Sequence, residues 1–256
     1  MKIIDTHAHY DDEQFDVDRD LLIKTMLDTD VKAIINIGCS IKRSEESVKL
    51  ANSYDNMFAA VGIHPDDVYD LPENYIDILR ALAQDKKVVA IGEIGLDYHY
   101  EGYDRDKQIK AFKEQLALAD ELELPVIIHS RDATEDTLTV LREVKPKKAV
   151  MHCFSGSAET AREILDMGLY ISFTGVLTFK NAKKAVAACE AIPLDRLFLE
   201  TDCPYMAPTP HRGERCISSM TKYTAAKLAE IKGITVDEAI AACNENAVRF
   251  FGLELA

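Results

Sequence analysis

No apolar run in this chain approaches the roughly 20 residues that a helical membrane span requires. The N-terminus, MKIIDTHAH, has neither the apolar core of a secretory leader nor a small-residue cleavage site, so a cytoplasmic location is expected. Cysteine is sparse, and none of Cys39, Cys153, Cys189, Cys203, Cys216 and Cys243 forms a CxxC pair. Such scatter in a chain of 256 residues excludes a disulfide frame and points to reduced, mostly buried thiols. There is no low-complexity stretch, no Pro/Gly-rich linker and no break in composition, so residues 1–256 read as one domain. Basic residues are also in deficit: 30 Lys and Arg stand against 44 Asp and Glu, a formal charge of −14. A broad nucleic-acid-binding surface is thereby disfavoured, because such surfaces are built from Lys and Arg contacts to phosphates. Any polyanionic substrate must be held locally, in a cleft.

What is present is alternation. Short, β-branched apolar runs lie at residues 2–5, 33–39, 58–63, 88–93, 125–129, 149–152, 170–174 and 197–201. Longer amphipathic segments separate them. Residues 104–122 place Ile109, Phe112, Leu116 and Ala119 on one face, with Asp104 as N-cap. Residues 157–167, 181–191 and 220–231 read as helices too, and Thr235-Val236-Asp237-Glu238 opens a last one with a capping box. Eight βα units predict an α/β fold, a (β/α)8 TIM-type barrel, with an open doubly wound sheet as the alternative.

Chemistry-bearing residues gather at one place in each unit. Five of the seven histidines, His7, His9, His64, His129 and His152, fall at or just past the C-terminal end of an expected strand. Glu93 closes the fourth strand and Asp202 follows the eighth. That end of a (β/α)8 barrel is where active sites are built. His7 and His9, two residues apart on extended backbone, face one side and can chelate one ion. Either His129 or His152 alone reads equally well as a hydrogen-bonded core histidine, and Asp202 alone as a turn cap. Glu93, set between apolar residues and glycines, is costly to bury without a cation. Together these six exceed the three protein ligands of a catalytic zinc site and suit two divalent cations sharing a carboxylate. Mixed nitrogen and oxygen ligation fits Zn or Mn and also admits Mg. Cys153 and Cys203 each follow a ligand candidate, and period-two geometry is expected to turn them away from it.

The segments DTHAH (5–9), GIHPDD (62–67), GEIGLDY (92–98), PVIIHSRDA (125–133), HCFSGS (152–157) and ETDCPYMAP (200–208) together resemble the TatD family of metal-dependent deoxyribonucleases, within the amidohydrolase-like barrels. The resemblance implies that His7, His9 and Asp202 bind one ion, that His129 and His152 bind a second, and that Glu93 bridges both. It implies Asp202 as general base, His64 as a substrate-phosphate contact and Arg131 as a further one. DNA exonuclease activity on a single strand or a 3′ end follows as its implied function, with nucleic acid as the partner and no membrane or obligate protein partner. One segment departs from the family: after His211-Arg212-Gly213, relatives often carry Asn-Glu-Pro, whereas this chain continues to Cys216-Ile217-Ser218. That loop is expected to border the cleft. Two rival functions remain at this point, an amidase, lactonase or deacylase using the same centre on a carbonyl carbon, and a non-catalytic metal-binding scaffold.

Overall fold

The structure, a computed structural model, describes all 256 residues. Eight strands pair in chain order, each parallel to the next: β1 (Ile3–Ala8), β2 (Val31–Ile37), β3 (Met57–Val61), β4 (Val88–Asp97), β5 (Val126–Arg131), β6 (Ala149–Met151), β7 (Tyr170–Phe173) and β8 (Leu197–Leu199). Parallel strands covered on both faces read as unbroken apolar runs, and β3 (MFAAV) is buried at every residue. The seam between β8 and β1 is closed without a regular ladder. Asp202 N donates to His7 O at 2.9 Å, His9 N donates to Cys203 O at 2.8 Å, and Ala8 bridges Cys203. The sheet is therefore a nearly closed barrel, and the open doubly wound alternative is set aside.

Helices α1 (Arg19–Thr29), α2 (Ile41–Ala51), α3 (Tyr75–Leu82), α4 (Arg105–Glu121), α5 (Thr134–Val144), α6 (Ala158–Asp166), α7 (Lys183–Ala191), α8 (Thr221–Lys232) and α9 (Val236–Phe251) form the outer layer. Asp104 caps α4 by accepting from Lys107 N, and Thr235 with Glu238 forms the capping box of α9. Phe112, Leu116 and Ala119 of α4 are buried, as their spacing requires. A core of 55 residues lies between the strands and this layer, and a second of 15 fills the barrel. The inner core holds Ile127, Val150 and Phe198, each two residues before His129, His152 or Glu200, so the strand period that points these apolar side chains inward delivers the polar ones inward one layer higher. Phe250 and Phe251, at the end of α9, pack on Phe198 with ring centroids 5.1 and 5.6 Å apart. The barrel is thus plugged at one end and open at the other.

Candidate metal centre

Glu93 stands at the middle of the open end, 4% exposed. Its Oε2 lies 3.3 Å from His7 Nε2 and 3.9 Å from His9 Nε2, both on β1 or its immediate extension. Its Oε1 lies 2.7 Å from His129 Nδ1 on β5 and 2.7 Å from His152 Nε2 just after β6. Asp202 Oδ1 approaches His7 Nε2 at 3.6 Å and His9 Nε2 at 3.3 Å. Two donor clusters thus share one carboxylate, and all six residues singled out from the sequence meet there.

The donor chemistry fits divalent cations. His7 and His9 bring their Nε2 atoms to 3.1 Å, and His129 Nδ1 lies 3.3 Å from His152 Nε2. Each nitrogen pair also faces carboxylate oxygens, so lone pairs crowd two points that only a cation, or protons, can neutralise. The far sides of two rings set which nitrogen is free. His129 Nε2 donates to Asp97 Oδ2 at 3.0 Å, leaving Nδ1 as the donor atom of the pair. His9 Nδ1 is 3.2 Å from the Ile37 carbonyl, which likewise leaves Nε2 free. Burial opposes the charge on Glu93, but His152 and His7 outweigh it and hold the carboxyl well below its ordinary range. Asp202 is also held low: burial works against it and the His9 hydrogen bond wins.

His64 stands beside the four, its ring centroid 4.5 Å from that of His129. Its Nε2 is 3.9 Å from Glu93 Oε1, while Nδ1 accepts from Asp66 N at 3.2 Å, so the proton resides on Nε2. Burial and the neighbouring His129 push the ring down to about 3, so His64 is neutral near pH 7 and presents an N–H to the cleft. Arg131 lies at the rim, its guanidinium 5.4 Å from the centre of the Tyr100 ring. Both line a cleft of about 610 Å3, together with Asp12, Arg43, Tyr205 and Met206.

A model of the TatD related DNase family matches residues 4–252. The chain belongs to the TatD family. The metal-dependent hydrolase YabD of Bacillus subtilis is 44% identical over 251 residues, covering 97% of this chain and 98% of its own. The 3'-5' ssDNA/RNA exonuclease TatD of Cronobacter sakazakii is 40% identical over 198 residues, 76% of this chain and 75% of its own. Among solved structures, YjjV, a TatD homolog from Escherichia coli K12, superposes with a TM-score of 0.93 at 29% identity, covering 98% of both chains. This TatD-family chain is accordingly a metal-dependent hydrolase.

Several features of this TatD barrel went unread in the sequence. Asp97, 2% exposed, lies four residues past Glu93 on the same strand, and that spacing was the available signal. Glu200, two residues before Asp202, accepts from Cys153 N at 2.7 Å and stands 3.6 Å from His152 Nδ1. Cys39 Sγ lies 3.7 Å from His9 Nδ1. Two expectations are corrected. Cys203 is buried away from the cleft, but Cys153 lines it, because a positive φ of 46° breaks the strand period there. The loop after β8 borders the cleft through Tyr205 and Met206, but its His211-Arg212-Gly213 segment is not among the lining residues: His211 Nε2 pairs with the Tyr223 hydroxyl at 2.8 Å and Arg212 stacks on Phe179. Ser218 of the departing segment faces inward, its hydroxyl donating to Asp5 Oδ2 at 2.6 Å. No helix is long and apolar enough to cross a membrane.

Proposed function

We propose that this TatD-family hydrolase cleaves phosphodiester bonds in nucleic acid, DNA foremost, working at the end of a single strand as a 3′→5′ exonuclease. The observation that carries the reading is the Glu93 carboxylate shared between two histidine pairs, with Asp202 and the His64 N–H beside it in an open cleft. His7, His9 and Asp202 are the proposed ligands of one divalent cation and His129 and His152 of the second, with Glu93 common to both. Zn, Mn and Mg all match the donor set. Bound there, the cations supply Lewis acidity toward a phosphate oxygen and make water a competent nucleophile near neutral pH.

The chain's own groups do the rest. Asp202, ionised at neutral pH, accepts the proton of the attacking water. His64, neutral, donates its Nε2–H to a non-bridging phosphate oxygen and fixes its orientation. Arg131 meets the anionic substrate at the rim. This division explains how a chain of formal charge −14 handles a polyanion: positive charge is concentrated in the site. The naming of the Cronobacter relative as a 3'-5' ssDNA/RNA exonuclease supports the substrate class.

The test is a screen of single-stranded oligonucleotides against ester and amide panels, with metal restored after chelation. Oligonucleotide cleavage is expected, and selective carbonyl hydrolysis would displace the nuclease reading. His129→Ala should lower kcat roughly thousandfold or more, since metal chemistry supplies several kcal/mol to the transition state. Wild-type turnover by that variant, folded and metal-restored, would sink the ligand assignment.

A further inference from the structure

A second cleft, of about 450 Å3, opens directly beside the first and shares Ser130, Arg131, His152, Cys153 and Ser155 with it. The two differ in charge. The first carries six carboxylates, Asp12, Asp66, Asp67, Glu93, Asp97 and Asp202, and one of its two arginines, Arg43, is paired with Asp11 at 2.7 Å. The second cleft carries Arg131 and Lys184 and a single carboxylate, Asp132, which is engaged by His99 Nδ1 at 2.9 Å. With Glu93 and Asp202 set aside as proposed metal ligands, the first cleft still keeps Asp12, Asp66, Asp67 and Asp97, so the second, with Lys184 added beside the shared Arg131, is the more favourable of the two for an anion.

The lining is also amphipathic. Met151 and Phe154, nearly buried at 5% and 7% exposure, form an apolar floor together with Leu138 and Ile164, while Ser155 and Thr160 provide hydroxyls. An apolar surface under cations and hydroxyls matches a nucleotide, whose base is flat and apolar on its faces and whose phosphate is charged.

We infer that the second cleft is a subsite for the nucleotide adjoining the scissile bond of a single-stranded polynucleotide. Arg131 and Lys184 hold its phosphate, and its base lies against Met151 and Phe154. The inference rests on the nuclease reading of the neighbouring centre and extends it: the protein grips a chain, and a small phosphodiester fills only part of its site.

The experiment compares a small chromogenic phosphodiester with deoxyribo- and ribo-oligonucleotides of two, three and five residues. KM should fall with length until the second cleft is filled. Lys184→Glu should raise KM for the five-residue substrate roughly tenfold while leaving hydrolysis of the small phosphodiester unchanged. Lys184→Ala should reduce the salt dependence of log KM by about 0.7, the loss of one phosphate contact to a single strand. Thr160→Trp, which fills the cleft without changing charge, should abolish the length effect. Fluorescence anisotropy of a labelled pentanucleotide gives a readout independent of turnover. If both substrate types are cleaved with a KM indifferent to length and to Lys184, the subsite is overturned and the nuclease reading stands. If no phosphodiester is cleaved, the nuclease reading falls, and pentanucleotide binding that Lys184→Glu leaves unweakened removes the subsite with it.

Discussion

The imidazoles of the centre are held by carboxylates outside the set of proposed metal ligands. Asp97 is the plainest case, since its Oδ2 fixes the tautomer of His129 and its Oδ1 accepts from His99 N at 2.8 Å. Asp97→Asn keeps the shape and loses the charge, so the affinity of the His129/His152 position for divalent metal should fall 10- to 100-fold. Competition with a chromophoric chelator reads that directly, and unaltered affinity would reduce Asp97 to a loop anchor. Asp5 supports the other histidine pair from beneath. It accepts from Thr201 Oγ1 and Ser218 Oγ, each at 2.6 Å, and from Thr201 N at 2.9 Å, yet burial outweighs these donors and pushes its carboxyl from 3.8 up to about 7. A carboxyl with a raised folded pKa stabilises fully below its unfolded value, and that contribution is lost as pH rises through the folded one. Wild-type stability should therefore decline between about pH 4 and pH 7 relative to Asp5→Asn, which cannot titrate. Parallel Tm profiles across that window would refute the coupling.

Strand β4 is the element on which the site depends most. The apolar run in the sequence ends it at Glu93, but it continues to Asp97. Gly95 explains why. Its φ is +147°, and a Cβ there would lie 2.0 Å from the carbonyl oxygen of His129 on the neighbouring strand. The glycine allows β4 and β5 to stay paired past the centre, which brings Asp97 level with Arg131 and within reach of His129. Gly95→Ala should force the two strands apart, costing roughly 2 kcal/mol or more in denaturant titration and displacing His129 enough to lose metal at that position. A variant of full stability and full metal content would show that the close approach is not needed. Legibility differed among the helices for a related reason. Helix α4 has a capping aspartate and a clear apolar face, whereas in α1 only Ile23 and Met26 are buried and Leu21 is 72% exposed, so periodicity alone gave α1 no signal.

At the scale of the whole barrel, clustering Glu93, Asp202, Glu200 and Asp97 at one end stores like charge that the histidines only partly offset. Cations that bind the folded centre and not the unfolded chain should stabilise the entire domain. At a metal concentration of 100 times Kd the gain is about 2.7 kcal/mol, which for a chain of this size corresponds to a rise in Tm of about 5–10 °C. Differential scanning calorimetry with and without chelator measures it, and coincident transitions would argue that the clusters hold no metal.

The sequence by itself determined the alternation of strand and helix, the inward side of each strand and the ligand-type residues at the strand ends. These are local properties, written in periods of 2 and 3.6 residues and in capping side chains. Barrel closure was beyond it, because the seam is made by Ala8, His9 and Cys203, residues remote in sequence whose pairing no local pattern encodes. The tertiary structure alone decided that Asp97 and Glu200 stand behind the histidines, that Cys153 turns toward the cleft, and that a second cationic cleft adjoins the first. Each of those facts is a distance between different βα units, and only the assembled barrel sets such distances.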